Sequence, residues 1–172
     1  AEAPLPRTAL PGHLLYLAGD RWGRTGAAIR AHYEGRSLEG FPKIREAAFY
    51  PLPRLELLAL SGLLRGSLDS SDGLAETLWQ LSELGVRVEL EVLPLYPDVL
   101  AFAGSEEAAL ELVLYGGEEF EAVLVVPQEG AAAVEARAKA KGLPLFRVGR
   151  VVAGEGVYLR GAPLPRKGYA HF

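Results

Sequence analysis

The sequence predicts a layered α/β or α+β sandwich built on a mixed sheet. Three observations carry that prediction. Short apolar or alternating runs of strand type recur along the chain. Segments with helical spacing of apolar residues separate them. Glycine or proline stands at most of the junctions. At 172 residues the chain is long enough for one domain with a sizeable core.

The elements follow in order. Residues 14–18 form an apolar run that ends at Gly19-Asp20, the pattern of a buried strand. Trp22, Ala27, Ile29 and Tyr33 recur at helical spacing over 22–33. The glycine-rich stretch Gly19 to Gly26 lacks the lysine of a phosphate loop and reads as a strand-to-helix connection. A loop is expected over 35–42. Pro53 suits the first turn of a helix running to about Leu64, and its many leucines predict burial between layers. A short strand is expected at 68–70. The helix 72–84 carries Leu74, Leu78, Leu81 and Leu84 on one stripe and stops at Gly85. Residues 86–92 alternate apolar and charged, as in a half-buried strand. Helices are expected at 97–103 and 105–114, and a mostly apolar strand at 120–126 closed by Pro127. An alanine-rich helix spans 129–141 up to Gly142. Strands at 145–151 and 157–160 are joined by a Gly154-Glu155-Gly156 turn, and the chain is irregular from Gly161.

Composition excludes several function classes. Apolar residues make up 49% and charged residues 23%, ordinary for a globular fold. The net charge is −4 and Arg30, Arg36, Arg45 and Arg54 are scattered, so no nucleic-acid partner is expected. No run of 18 apolar residues occurs, so no membrane partner is expected. With no cysteine there are no disulfides or thiolate metal sites, and a cytoplasmic setting is expected. Methionine is absent throughout, and Ala1-Glu2-Ala3-Pro4-Leu5-Pro6 has the composition of a linker. The chain is therefore expected to be part of a longer protein, with 1–12 as an interdomain linker.

Three stretches carry chemistry. In Leu68-Asp69-Ser70-Ser71-Asp72-Gly73-Leu74, two carboxylates stand three residues apart where a strand opens into a helix. Magnesium takes about six oxygen ligands and keeps waters, so one or two carboxylates plus phosphate oxygens suffice. A helix start offers free N–H groups to phosphate, and Gly73 permits close backbone approach. The alternative from spacing alone is that Ser71 or Asp72 caps the helix, with Asp69 as a turn residue. Gly116-Gly117-Glu118-Glu119-Phe120-Glu121 places paired glycines before a strand. A carboxylate there suits a cationic or amino-bearing ligand, or belongs to a solvated turn. Gly168-Tyr169-Ala170-His171-Phe172 is dense in aromatics, which either stack on a flat or cationic ligand or dock on the core. Arg7 could pair bidentately with phosphate or lie in solvent.

In order and spacing these stretches resemble thiamine-monophosphate kinases, within the aminoimidazole-ribonucleotide-synthetase-like superfamily. Arg7-Thr8-Ala9-Leu10-Pro11-Gly12-His13 corresponds to a family run ending Pro-Gly-Asp. Phe49-Tyr50-Pro51-Leu52-Pro53-Arg54 corresponds to L-R-P-x-P-R, and Asp69 to Leu74 to D-[ILV]-S-D-G-L. Gly116 to Glu121 corresponds to G-G-E-D-Y-E and Gly168 to Phe172 to G-[YW]-D-H-F. The resemblance covers essentially the whole chain.

It implies a three-layer α/β/α sandwich like the carboxy-terminal domain of aminoimidazole ribonucleotide synthetase. It also implies an ATP-dependent kinase that converts thiamine monophosphate to thiamine diphosphate with magnesium. Asp69 and Asp72 would bind Mg2+, Ser71 and Arg7 would contact ATP, and Glu118 and Tyr169 would line the thiamine pocket. No protein nucleophile is implied. On this reading 1–172 is the substrate- and nucleotide-binding domain, 161–172 is an aromatic tail lining the pocket, and a homodimer forms through another, amino-terminal domain. The chain alone would be inactive. The sequence departs from the family at His13, Tyr50, Glu119, Phe120 and Ala170, where the family has Asp, Arg, Asp, Tyr and Asp. Two other readings stand beside it: a non-catalytic ligand-binding module of the same fold, and a superfamily relative acting on a purine-pathway ribonucleotide.

Overall fold

The run Leu14-Leu15-Tyr16-Leu17-Ala18 has no polar face because both sides of the strand it forms, β1 (Leu14–Ala18), are covered. Leu15 and Leu17 enter one core, Tyr16 and Ala18 another. A computed structural model describes residues 9–49, 55–70, 73–116 and 121–166, with the backbone only for 48, 49, 55–58 and 69. The strands are β1, β2 (Gly66–Asp69), β3 (Val86–Leu90), β4 (Ala122–Val126), β5 (Leu145–Ala153), β6 (Val157–Leu159) and β7 (Ala162–Pro163). They form one seven-stranded sheet in the order β2-β4-β1-β5-β3-β6-β7. All neighbours are antiparallel except β3 and β6, so the sheet is mixed, as expected.

The helices are α1 (Arg24–Glu34), α2 (Pro42–Phe49), α3 (Leu74–Ser82), α4 (Pro97–Ala103), α5 (Glu106–Tyr115) and α6 (Ala131–Ala140). The first face of the sheet packs on α3 and α5 through Leu74, Leu78, Leu81, Val113 and Leu114. α1, α2, α4 and α5 share a further core built on Ala27, Ala31, Ile44, Val99, Phe102 and Leu112. The second face is covered by α6 and a 3-10 helix, Leu55–Leu63, through Leu60, Val134 and Ala138. That second layer covers β4 and β1. β3 buries Val86, Val88 and Leu90 on the first face and turns the partly exposed Arg87 and Glu89 to the other, where Arg87 stacks on Tyr158 at 3.7 Å. The arrangement is helix layer, mixed sheet, partial helix layer, in agreement with the expected sandwich.

Four local expectations are corrected. Residues 42–49 form α2 beyond the expected loop; of its described side chains only Ile44 and Ala47 are buried, too few to leave a periodic signal. The leucine-rich segment before Leu64 is 3-10 rather than α-helical, and it forms part of the second layer instead of lying between layers. Apolar residues at almost every position give no stripe to set its period. Leu84 is exposed, because α3 ends at Ser82 and the stripe ends with it. Ala162–Pro163 adds a two-residue edge strand where none was expected.

Candidate functional site

β2 ends at Asp69, and the antiparallel register pairs Asp69 with Ala122, the first residue of β4. The chain enters β4 directly from the Gly116 to Glu121 stretch. The pairing therefore brings Asp69 and Ser70 beside Glu121 and Ala122 at one end of the sheet. Ser70 fixes the junction. It is fully buried; its backbone N–H donates to the Glu121 carbonyl at 3.0 Å and its hydroxyl donates to the same oxygen at 2.8 Å. Gly73 N–H then donates to the Ser70 carbonyl at 3.0 Å, which brings together the two ends of the stretch containing Ser71 and Asp72.

Gly73 is the N-cap of α3, with φ 95° and ψ 152°, a conformation suited to glycine. Having no side chain, it leaves the cap without a side-chain acceptor; the Thr77 hydroxyl donates to its carbonyl at 2.9 Å. Ser71 and Asp72 thus precede the N-cap position. The helix-capping alternative drawn from spacing has neither of them at the N-cap itself.

A third segment joins the same rim. β1 ends at Ala18, also opposite Ala122, and Gly19 follows with φ 103°. The Glu121 side chain, 1% exposed, folds against Gly19, where an added Cβ would lie 1.5 Å from Oε2. The same Oε2 accepts the Arg21 N–H at 3.2 Å. Buried carboxylates persist where they are hydrogen-bonded. Glu121 therefore ties the β1–α1 connection to the entrance of β4, while its carbonyl ties β4 to β2. Arg24, 7% exposed, braces that connection from behind: Nε donates to Asp98 at 3.0 Å, a terminal N–H donates to the Asp20 carbonyl at 2.7 Å, and the guanidinium stacks on Tyr96. Residues 19–23 connect β1 to α1, the strand-to-helix connection expected of the 19–26 stretch, and its last three residues already form the first turn of α1.

The end of α5 is set by a close crossing. A Cβ on Gly26 would lie 2.9 Å from the Gly116 Cα, so two glycines allow α1 to approach the start of the 116–121 stretch. Beside it Tyr115 is 5% exposed; its hydroxyl donates to the Pro165 carbonyl at 2.8 Å. Burial, with Glu111 adding repulsion, pushes that hydroxyl's pKa up to about 12.

Of the six candidate residues, Asp69 is placed by its backbone at the end of an edge strand. Arg7, Ser71, Asp72, Glu118 and Tyr169 lie outside the described residues. The segments that flank Ser71, Asp72 and Glu118 are brought together. The Pro11-Gly12-His13 run is not with them: Gly12 N–H and the His13 carbonyl bond Val151 beside the opening end of β1, the far end from Ala18. Among the described residues there is no group of three or more His, Asp or Glu side chains able to hold a metal. Sequence reasoning passed over Ser70 and Glu121 as individual residues. A glutamate leading directly into an all-apolar strand was the available signal for the latter.

Comparison with known proteins agrees with this architecture. The family model of the AIR synthase related protein, C-terminal domain, matches residues 11–162. A thiamine-monophosphate kinase of Nitrosopumilus maritimus is 30% identical over 180 residues, covering 100% of this chain and 57% of the relative. The crystal structure of tt0281 from Thermus thermophilus superposes with TM-score 0.94 at 95% identity, over 96% of this chain and 55% of that one. That of a thiamine-monophosphate kinase from Stenotrophomonas maltophilia superposes with TM-score 0.84 at 26% identity, over 93% of this chain and 54% of that one. The chain thus spans about half the length of the relatives it matches. No described helix is long and apolar enough to cross a membrane. With its model matched across nearly the whole sheet and its helices, the chain belongs to the family of AIR synthase related proteins, as their C-terminal domain.

Proposed function

We propose that the protein is an ATP-dependent kinase that converts thiamine monophosphate to thiamine diphosphate, this chain supplying its substrate- and nucleotide-binding domain. The observation that carries the reading is the double hydrogen bond from Ser70 to the Glu121 carbonyl. It holds the end of β2 against Glu121, at the entrance of β4, in a chain whose relatives carry that kinase name. Asp69 and Asp72 would hold magnesium, which when bound supplies charge neutralisation among crowded phosphate oxygens. Ser71 and Arg7 would orient ATP. Glu118 and Tyr169 would receive the cationic, aromatic thiamine. A phosphate oxygen of thiamine monophosphate attacks the γ-phosphorus in line, the bond to the β–γ bridging oxygen breaks, and ADP leaves. Catalysis is positioning and electrostatics, with no covalent enzyme intermediate. The setting is cytoplasmic, and the complete enzyme pairs as a homodimer through a domain other than this one.

The test is thiamine diphosphate formation by the intact protein, followed chromatographically, with Asp69→Asn and Asp72→Asn variants. Each variant should lose at least about a hundredfold in turnover. Variants that turn over normally and need the same magnesium concentration would refute the assignment.

A further inference from the structure

Leu10-Pro11-Gly12-His13 is built as a reverse turn at the point where the match to the C-terminal domain family begins, residue 11. Pro11 stands at its second position and Gly12, with φ 96°, at its third, the residues a type II turn prefers. The His13 N–H donates to the Leu10 carbonyl at 3.1 Å, and in return the Leu10 N–H donates to His13 Nδ1 at 3.1 Å. His13 therefore holds both main-chain groups of Leu10. The turn lies between two fixed points. On one side Ala9 is buried in the first core. On the other, Gly12 N–H donates to the Val151 carbonyl at 2.8 Å and Val151 N–H donates to the His13 carbonyl at 2.9 Å, which carries the β1–β5 pairing one step beyond β1. Leu10 itself is 63% exposed, so its place in the turn depends on hydrogen bonds and not on its side chain.

The direction of the second bond fixes the chemistry. An imidazole nitrogen that accepts is unprotonated, so His13 is the neutral ring with its proton on Nε2. A protonated imidazole donates from both nitrogens. Its Nδ1–H would then face the Leu10 N–H, donor against donor, and the bond would be lost. We propose that His13 is a proton-operated latch: its neutral ring closes the turn at which this domain begins, and its protonation frees the Leu10 N–H and loosens the turn. Histidine is the side chain whose ordinary titration lies near neutrality. The charged groups set around it are Arg65, just before β2, and Glu129, just after β4; Arg150 of β5 stands opposite Leu14, the next residue. Burial holds the imidazole below its usual 6.5, Arg65 adds to the shift and Glu129 opposes it. A group whose folded pKa is lowered contributes stability above its unfolded pKa and loses it as pH falls through the folded one. The latch is therefore closed at neutral pH and opens on acidification below 6.5.

His13→Asn separates the latch from the titration, because the amide oxygen lies where Nδ1 does and accepts at every pH. In the intact protein, hydrogen exchange over residues 10–13 reads the amides of Leu10, Gly12 and His13, Pro11 having none. Protection there, corrected for the intrinsic pH dependence of exchange, should fall about two- to tenfold between about pH 7.5 and about pH 5 in the unmodified protein. It should stay constant in His13→Asn, with exchange over β4 as the reference for intact folding. Imidazole nitrogen resonances of isotopically labelled histidine, with His13 identified by its absence from the variant, should show Nδ1 unprotonated at neutral pH. A neutral ring carrying its proton on Nδ1, or a protection profile shared by the two proteins, would overturn the latch. Both readouts are independent of turnover, so the kinase reading stands or falls separately.

Discussion

Gly19 and Glu121 occupy one spot, and their substitutions should not add. Gly19 has φ 103°, a region that costs an L-residue about 1–3 kcal/mol. A Cβ there would sit 1.5 Å from Oε2 and 2.0 Å from the carboxyl carbon of Glu121, so the buried side chain must swing away. In doing so it gives up the Arg21 N–H, a hydrogen bond to a carboxylate worth about 1.5–3 kcal/mol. Gly19→Ala should therefore destabilise by about 2.5–6 kcal/mol. Glu121→Ala loses the same bond and about 1 kcal/mol for its buried methylene. In the double variant the bond is lost once and no overlap remains. Its destabilisation should fall short of the sum by about 1.5–3 kcal/mol. Urea unfolding of the four proteins, with slopes compared, measures the cycle. Additivity within about 0.5 kcal/mol would refute the contact.

Two pH effects follow from the hydrogen bonds of Tyr115 to Pro165 and of Arg166 to Glu76. The Tyr115 hydroxyl keeps its proton in the folded chain up to about pH 12, whereas the unfolded chain releases it near 10.0. Stability should fall by about 2–3 kcal/mol as pH rises through that window, and Tyr115→Phe should flatten the fall in alkaline urea titrations. Hydrogen bonding from Arg166 holds the Glu76 carboxyl below its usual 4.5, burial opposes this, and Gln80 adds to it. Its contribution is complete above the ordinary glutamate pKa and is lost as pH falls through the lower folded value. Thermal melts taken toward acid should show a shallower decline for Glu76→Gln than for the unmodified protein.

Elements that announce themselves locally were legible. β1 ends where its apolar run meets Gly19, α4 begins with Pro97 and stops at Gly104 in the left-handed region, and the 154–156 turn carries two glycines with positive φ. α2 was not legible, because the two buried positions among its described side chains leave no stripe. The candidate site divides the same way. Acids at a strand end and glycines before a strand can be read from neighbours in sequence. What joins them cannot: Ser70 meets Glu121 across 51 residues, and Arg166 meets Glu76 across 90. Those contacts depend on which strands pair, and β2 lies beside β4 while its sequence neighbour β3 sits on the other side of β5.

The two rims of the sheet have a further consequence. One is β2, four residues long; the other is β7, two residues long and ending in Pro163, which has no N–H to offer. A visiting strand would find only a few main-chain partners at either margin, too few to template stacking of chain upon chain. Among the described residues, ribbon-like growth is thus disfavoured by the way the sheet terminates, which leaves side-chain surfaces as the better route for self-association.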